Sequence, residues 1–278
     1  MAKRRYQMTE ERITKWSAEG RGKGVGAQYS PWLTMHDVSS TGRSHRVRGA
    51  KAGRVHHFLS DIELAAFLEC DWHPDVFDVR EQFPLDRAET RSIAAAMGIR
   101  HPQDHGVDIV MTTDLLVAIR VGQGARQVAV AVKPAGDLGK ARTVEKLEIE
   151  RRYWSSRGVP WHIITEREVS KVRVLNLQWL HEWRWLDSID QPYPGYWEDR
   201  CAGVAAALGE ARHGTAGELL SGLERSRGWA QGDALSAVRH LAANRRIEID
   251  LDKAFEWDGP VSQLALASGS AARIGQAA

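Results

Sequence analysis

The chain has 278 residues, 43% of them hydrophobic and 27% charged, with a formal net charge of +2; this is a globular composition, long enough for two domains, and it excludes a wholly disordered chain. No window approaches the ~18 consecutive apolar residues of a membrane span, and the opening "MAKRRYQMTEER" lacks the apolar stretch of a signal peptide, so a cytoplasmic protein without membrane contact is expected. Cys70 and Cys201 have neither CxxC spacing nor further partners, which argues against a thiolate zinc site and a disulfide framework and leaves ordinary core thiols.

The charge is uneven along the chain. Residues 1–55 hold 12 Lys and Arg against 4 acids, so the remainder carries a net −6. A basic segment holding Tyr6, Trp16, Tyr29 and Trp32 suits a phosphate backbone, although a solvated arm without a partner explains the charge as well. Residues 1–55 are therefore expected as an N-terminal arm, with Arg43, Arg46, Arg48, Lys51, Arg54 and His57 as candidate DNA contacts. Its Gly- and Ser-rich stretch 20–55 predicts a short helix near residues 9–18 followed by surface loops. "GRGKGVG" lacks the GK[ST] ending of a phosphate-binding loop.

"SDIELAAFLEC" has Ser60 as an N-cap with Glu63 three residues on, which predicts a helix to about Cys70. "DVFDVREQFPL" alternates as a strand, and residues 86–106 read as an insertion with a short helix. "DIVMTTDLLVAIRV" and "RQVAVAVK" are two strands joined through the glycines of "GQGA". "ARTVEKLEIERRYWSSRG" is a helix closed by Gly158, and "VPWHIITE" a last strand. The order helix, strand, strand, strand, helix, strand gives a mixed α/β domain over residues 56–168 with a hairpin at its centre.

From residue 169 to 266 the pattern is helical: "LQWLHEWRWL", "WEDRCAGVAAALGEARH", "TAGELLSGLERSRG" and "GDALSAVRHLAANRR". A strand, turn and second strand are expected in "IEIDLDKAFEWDG", completing the outline of a winged helix. Its third helix carries few base-reading side chains beyond Arg239, His240, Asn244 and Arg245, which favours protein docking over base reading. Trp179, Trp183 and Trp185 read as packing residues, and 267–278 as a loose tail.

The hairpin raises a chemical question, because the buried-looking strand "VAVAVKPA" ends on Lys133. A turn centred on Gln123–Gly124 would set Asp114 opposite Lys133. Alternation then puts Ala129, Ala131 and Lys133 on one face, with small residues leaving space beside the lysine. A carboxylate facing an ammonium there is minimal equipment for metal-assisted phosphodiester hydrolysis, with the acid holding a hard cation through oxygen. One carboxylate is a poor Mg²⁺ site, and Glu63 is the candidate second acid, though a capping box would explain that glutamate equally.

The stretches "GRSHRVRGAKAGRVHHFLSDIELAAFL", "VREQFPL", "GVDIVMTTDLLV", "VKPA" and "EKLEIERRYW" together resemble the TnsA family, the endonuclease subunits of heteromeric cut-and-paste transposons. The resemblance is dense from about residue 10 to 168 and thinner beyond. It implies a restriction-endonuclease-like domain whose catalytic residues fall on Glu63, Asp114 and Lys133. It also implies a Mg²⁺ site, with Mn²⁺ able to substitute, held by Glu63 and Asp114, and Glu150 matches a family glutamate near the metal. An exposed residue paired with Arg151 or Arg152 would account for Glu150 as well.

Related nucleases usually carry Glu, Asp or Gln two residues before the lysine, where this chain has Ala131. Water, the Val132 carbonyl or an acid from the next helix could fill that place. The family resemblance further implies cleavage at the 5′ ends of a transposon, a TnsB-like transposase that handles the 3′ ends, a TnsC-like ATPase docked on the C-terminal domain, and two copies per assembly. The alternative is a nuclease-fold assembly factor that bridges these partners and DNA without cutting.

Overall fold

The computed structural model describes residues 3–4, 7–39 and 43–267, so Tyr6 of the basic arm and the expected tail from 268 lie outside the described residues. The chain divides into two units, 1–169 and 170–278.

The first unit begins with β1 (Lys3–Arg4), α1 (Glu10–Ala18) and β2 (Val38–Ser39), β1 pairing with β2. Thr9 caps α1 by accepting the Arg12 N–H. Ile13 and Trp16 of α1 pack with Met8, Trp32, Leu33, Val38 and Val110 in a small core. Three aromatics expected to face phosphate are therefore interior residues: Trp16 and Trp32 meet edge to face at 5.5 Å, and the buried Tyr29 donates its hydroxyl to the Glu81 carbonyl. Large apolar rings gain more from leaving water than from lying beside a hydrated backbone. In "GRGKGVG", Gly22 and Gly24 answer to close approach: Gly22 has φ +79°, and a Cβ there would sit 2.1 Å from Pro84 Cγ.

The hairpin β3 (His45–Arg48) and β4 (Val55–Phe58) leads into α2 (Asp61–Trp72), whose N-terminal Ser60 accepts the Glu63 N–H. Then come β5 (Val76–Pro84), α3 (Arg87–Ala96), the short pair β6 (Gln103–Asp104) and β7 (Val107–Asp108), β8 (Thr112–Val121), β9 (Gly124–Val132), α4 (Ala141–Ser155) and β10 (Trp161–Ile164). The main sheet runs in the order β10-β9-β8-β5, with β9 and β10 parallel and the other neighbours antiparallel. This is the mixed α/β sheet flanked by helices expected from the sequence.

The hairpin register differs from the expected one. Val121 pairs with Gly124 and Leu115 with Val130, so the turn lies at Gly122–Gln123 and the ladder, continued, sets Asp114 opposite Ala131. Tight hairpin turns need a left-handed residue at their first position; Gly122 meets that need at φ +58°, where a turn one residue later would put Gln123 there. The slip amounts to two residues on the facing strand, so the side-chain alternation survives it. The expected open surface beside the lysine does not exist. Ala129 and Ala131 are fully buried, and Ala129 packs with Leu85, Leu116, Ile149, Tyr153 and Trp154. Small residues here let α4 approach the sheet closely.

The second unit contains α5 (Lys171–His181), α6 (Tyr196–Glu210), α7 (Ala216–Arg227), α8 (Asp233–Ala243) and the pair β11 (Ile247–Glu248) and β12 (Ala265–Leu266). α5 starts six residues before the expected "LQWLHEWRWL" because Ser170 caps it, accepting the Arg173 N–H. The partner of β11 is not in "DKAFEWDG"; it follows a 3₁₀ turn at Val261–Gln263. α7 opens on a full capping box between Thr215 and Glu218 and closes at Gly228 in the left-handed region. Trp179 stacks on Phe255 at 5.5 Å and Trp183 meets Trp197 edge to face, as packing residues would. Cys70 and Cys201 are both free, and burial pushes each thiol up to about 12. Among the described residues no helix is long and apolar enough to cross a membrane.

Candidate active site

Asp114 lies near the start of β8, Lys133 just past the end of β9, and Glu63 in the first turn of α2. The fold brings the three together despite the register slip. Asp114 Oδ2 accepts the Lys133 ammonium at 2.7 Å and the Val132 N–H at 2.7 Å, so one carboxylate oxygen is anchored to the end of β9. Lys133 Nζ also donates to the Val132 carbonyl at 2.7 Å. The other oxygen, Oδ1, faces the Nε2 of Gln82 at 3.4 Å, and the same Nε2 lies 3.4 Å from Glu63 Oε2. Glu63 is held by the Leu59 N–H and the Ser60 hydroxyl, each at 3.0 Å, while its own N–H donates to Ser60 Oγ. Helix capping thus fixes Glu63 without diverting it from Asp114; the two readings of this glutamate are compatible.

Glu150 is 4% exposed, which rules out an exposed residue paired with arginine. Glu148 takes that part, bonded to Arg151 and Arg152. Glu150 instead accepts the Thr113 hydroxyl at 2.8 Å, and Thr113 in turn accepts the Trp154 indole N–H at 2.6 Å.

Three carboxylates therefore share this region with one ammonium. Burial first, and then the charge of Asp114, push Glu63 up to about 7 and Glu150 up to about 7. Burial disfavours the Lys133 ammonium, but Asp114 and Glu150 outweigh it and hold its pKa above the ordinary value. A hard cation between Glu63 and Asp114 would relieve the same imbalance. The fit is a pair of acid oxygens rather than a finished cage: among the described residues no group of three or more His, Cys, Asp and Glu is arranged to hold a metal ion.

The basic residues divide. Arg43 is exposed and pairs with Asp61 at 3.2 Å, and Arg46 and Arg48 occupy the two outward-facing positions of β3. Arg54 does not belong with them. Its guanidinium turns inward, 9% exposed, donating to Glu81 at 2.8 Å and to the Val79 carbonyl at 3.0 Å. A buried carboxylate demands such a partner, and this corrects Arg54 from DNA contact to structural counter-ion. His57 is half-buried with its N–H on Glu81, and Lys51 is half-buried with its N–H on Asp71.

On α8 and at its C-terminal end, three of the candidate base-reading residues are engaged within their own unit. Arg239 donates to the Trp179 carbonyl and to Glu182, His240 is bonded at the Trp183 carbonyl, and Asn244 donates to the Arg184 carbonyl. Arg245 takes a left-handed φ of +56° just past the helix.

Sequence reasoning passed over two residues. Gln82, in "VREQFPL", has no chemical signature of its own; only the fold sets it between the two acids. Thr113, beside Asp114, is visible as a partner for Glu150 only once α4 is placed.

Comparison with known proteins gives a consistent result. Residues 73–166 match the family described as TnsA-like endonuclease N terminal, and residues 168–251 match TnsA endonuclease C terminal. Transposon Tn7 transposition protein TnsA of Escherichia coli is 50% identical over 181 residues, which cover 65% of this chain and 66% of that protein, just short of two thirds.

Proposed function

Because the chain belongs to the TnsA family, we propose that it is the endonuclease subunit of a heteromeric transposase, hydrolysing the phosphodiester at the 5′ ends of a transposon with Mg²⁺ or Mn²⁺. The observation that carries this reading is the facing of Glu63 Oε2 and Asp114 Oδ1 across 3.4 Å contacts to one amide, beside the Lys133 ammonium. When bound, the cation supplies Lewis-acid polarisation of the phosphate and an acidified water.

Glu63 and Asp114 would hold it, with the Val132 carbonyl and Glu150 as candidate further donors. Asp114 keeps its geometry because its second oxygen is tied to the backbone of β9. Lys133 has three N–H donors, two of them used by Asp114 and Val132, so the third can meet a phosphate oxygen or orient water. The exposed β3 arginines steer the DNA backbone toward this edge. A TnsB-class transposase handles the other strand, and a TnsC-class ATPase docks on the second unit, whose α8 polar groups are already engaged internally. Two transposon ends call for two copies.

The rival reading, a nuclease fold that bridges its partners without cutting, draws on the incomplete donor set. Mapping strand breaks on an end-bearing donor DNA, with purified TnsB- and TnsC-class partners and Mg²⁺, separates the two. The nuclease reading predicts 5′-strand breaks with the wild type and none with Asp114→Ala. Intact 5′ strands in both, with 3′ joining still dependent on this protein, would establish the bridge.

A further inference from the structure

Gln82 is the least explained residue of the region. It is 3% exposed, in a strand, and yet takes a left-handed backbone at φ +47°. An L side chain adopts that conformation only where surrounding structure insists on it, and such residues collect at functional sites. The pairs on either side, Glu81 with Leu115 and Phe83 with Thr113, are intact, while the Gln82 carbonyl leaves the ladder to accept the Trp32 N–H at 3.2 Å. The result is a side-chain amide directed between Glu63 and Asp114.

We propose that Gln82 is a cation ligand of this site, supplying from β5 the side-chain oxygen that Ala131 cannot supply from β9. The inference rests on the cation reading given above and extends it. Its Nε2 donates toward both carboxylates at 3.4 Å, standing where positive charge is wanted, and Oε1 accepts the Thr112 hydroxyl at 3.0 Å. Reversing the amide end for end presents Oε1 to a cation between the acids. Its N–H then donates to Thr112, and a threonine hydroxyl serves either orientation because it both donates and accepts. Glu63, Asp114 and Gln82 thereby make three side-chain oxygens where the acids alone make two, and hard cations take oxygen donors of this kind.

The test uses the full chain and Mn²⁺ alone, with free Mn²⁺ read by electron paramagnetic resonance for wild type, Gln82→Leu, Gln82→Glu and Asp114→Asn. Metal-free melting of each reports folding. Gln82→Leu should bind at least tenfold more weakly while melting cooperatively, and Gln82→Glu should bind at least as tightly as wild type. Wild-type affinity in a folded Gln82→Leu would overturn the proposal. Should Gln82→Leu fail to fold, Gln82→Asn, which withdraws the amide by one methylene, takes its place under the same threshold. Unchanged affinity in Asp114→Asn is a different failure, since it removes the cation site itself.

Discussion

Glu63 and Glu81 are both buried carboxylates of the first unit, and the protein treats them in opposite ways. Glu81 has no exposure at all, but Arg54 grips both its oxygens, His56 lies 2.9 Å from one of them, and the His57 N–H donates to the other. Burial alone would raise it; those hydrogen bonds and charges win and hold it down to about 2. Glu63 has backbone and hydroxyl donors but no cation of its own, and Asp114 beside it takes up the one ammonium present. It is pushed up to about 7. The difference separates a finished structural cluster from one left short of positive charge, and a carboxylate perturbed by burial beside a like charge marks a candidate functional site.

The largest effect is expected at Asp114. Asp114→Ala should lower 5′-strand cleavage about a thousandfold, since metal-linked stabilisation of a phosphoryl transition state is worth several kcal/mol. Strand mapping reads this against a metal-free melting curve that stays cooperative. Next in size is Arg54→Ala, which strands a buried carboxylate and should cost about 3–5 kcal/mol in chemical denaturation. Loss of DNA affinity with unchanged stability in that variant would return Arg54 to the DNA surface.

The pH dependence of the two glutamates sharpens the contrast, because its sign reverses between them. Glu81 has a folded pKa near 2 against an ordinary 4.5. Its contribution is therefore present above about 4.5 and lost as pH falls toward 2, so wild type should exceed Glu81→Gln by about 3 kcal/mol near neutrality and converge with it in acid. At the smallest scale, Arg46→Ala should leave stability unchanged. It should flatten the salt dependence of DNA binding by about one unit of slope if Arg46 contacts one phosphate.

What the sequence conveyed follows from how local each signal is. The helix at Ser60, the strands around Asp114 and Lys133 and the closing helix at 141–155 carry caps, alternation and periodicity within a few residues, and the structure has them close to where they are expected. Asp114 and Lys133 could be associated because a two-residue slip in register preserves side-chain alternation. Arg54 and Glu81 could not. They are 27 positions apart, Arg54 in the bend before β4 and Glu81 on β5, and an arginine in a basic run looks the same whether it faces water or a buried acid. Gln82 is silent for a related reason: its left-handed backbone comes with a long-range bond from Trp32. Ala129 and Ala131 misled through composition, since small residues can signal empty space or a closely packed helix.

Equilibrium stability against pH for wild type and Glu63→Gln, with and without Mg²⁺, tests whether Glu63 is a carboxylate that a cation stabilises. The folded pKa of Glu63 lies above its ordinary value, so without metal its contribution is present below about 4.5 and lost as pH rises through about 7. Metal-free wild type should accordingly lose stability relative to Glu63→Gln over that window, and Mg²⁺ should restore it in wild type but not in the variant. Equal stability of the two proteins from pH 4.5 to 8, with no response to Mg²⁺, would contradict the account.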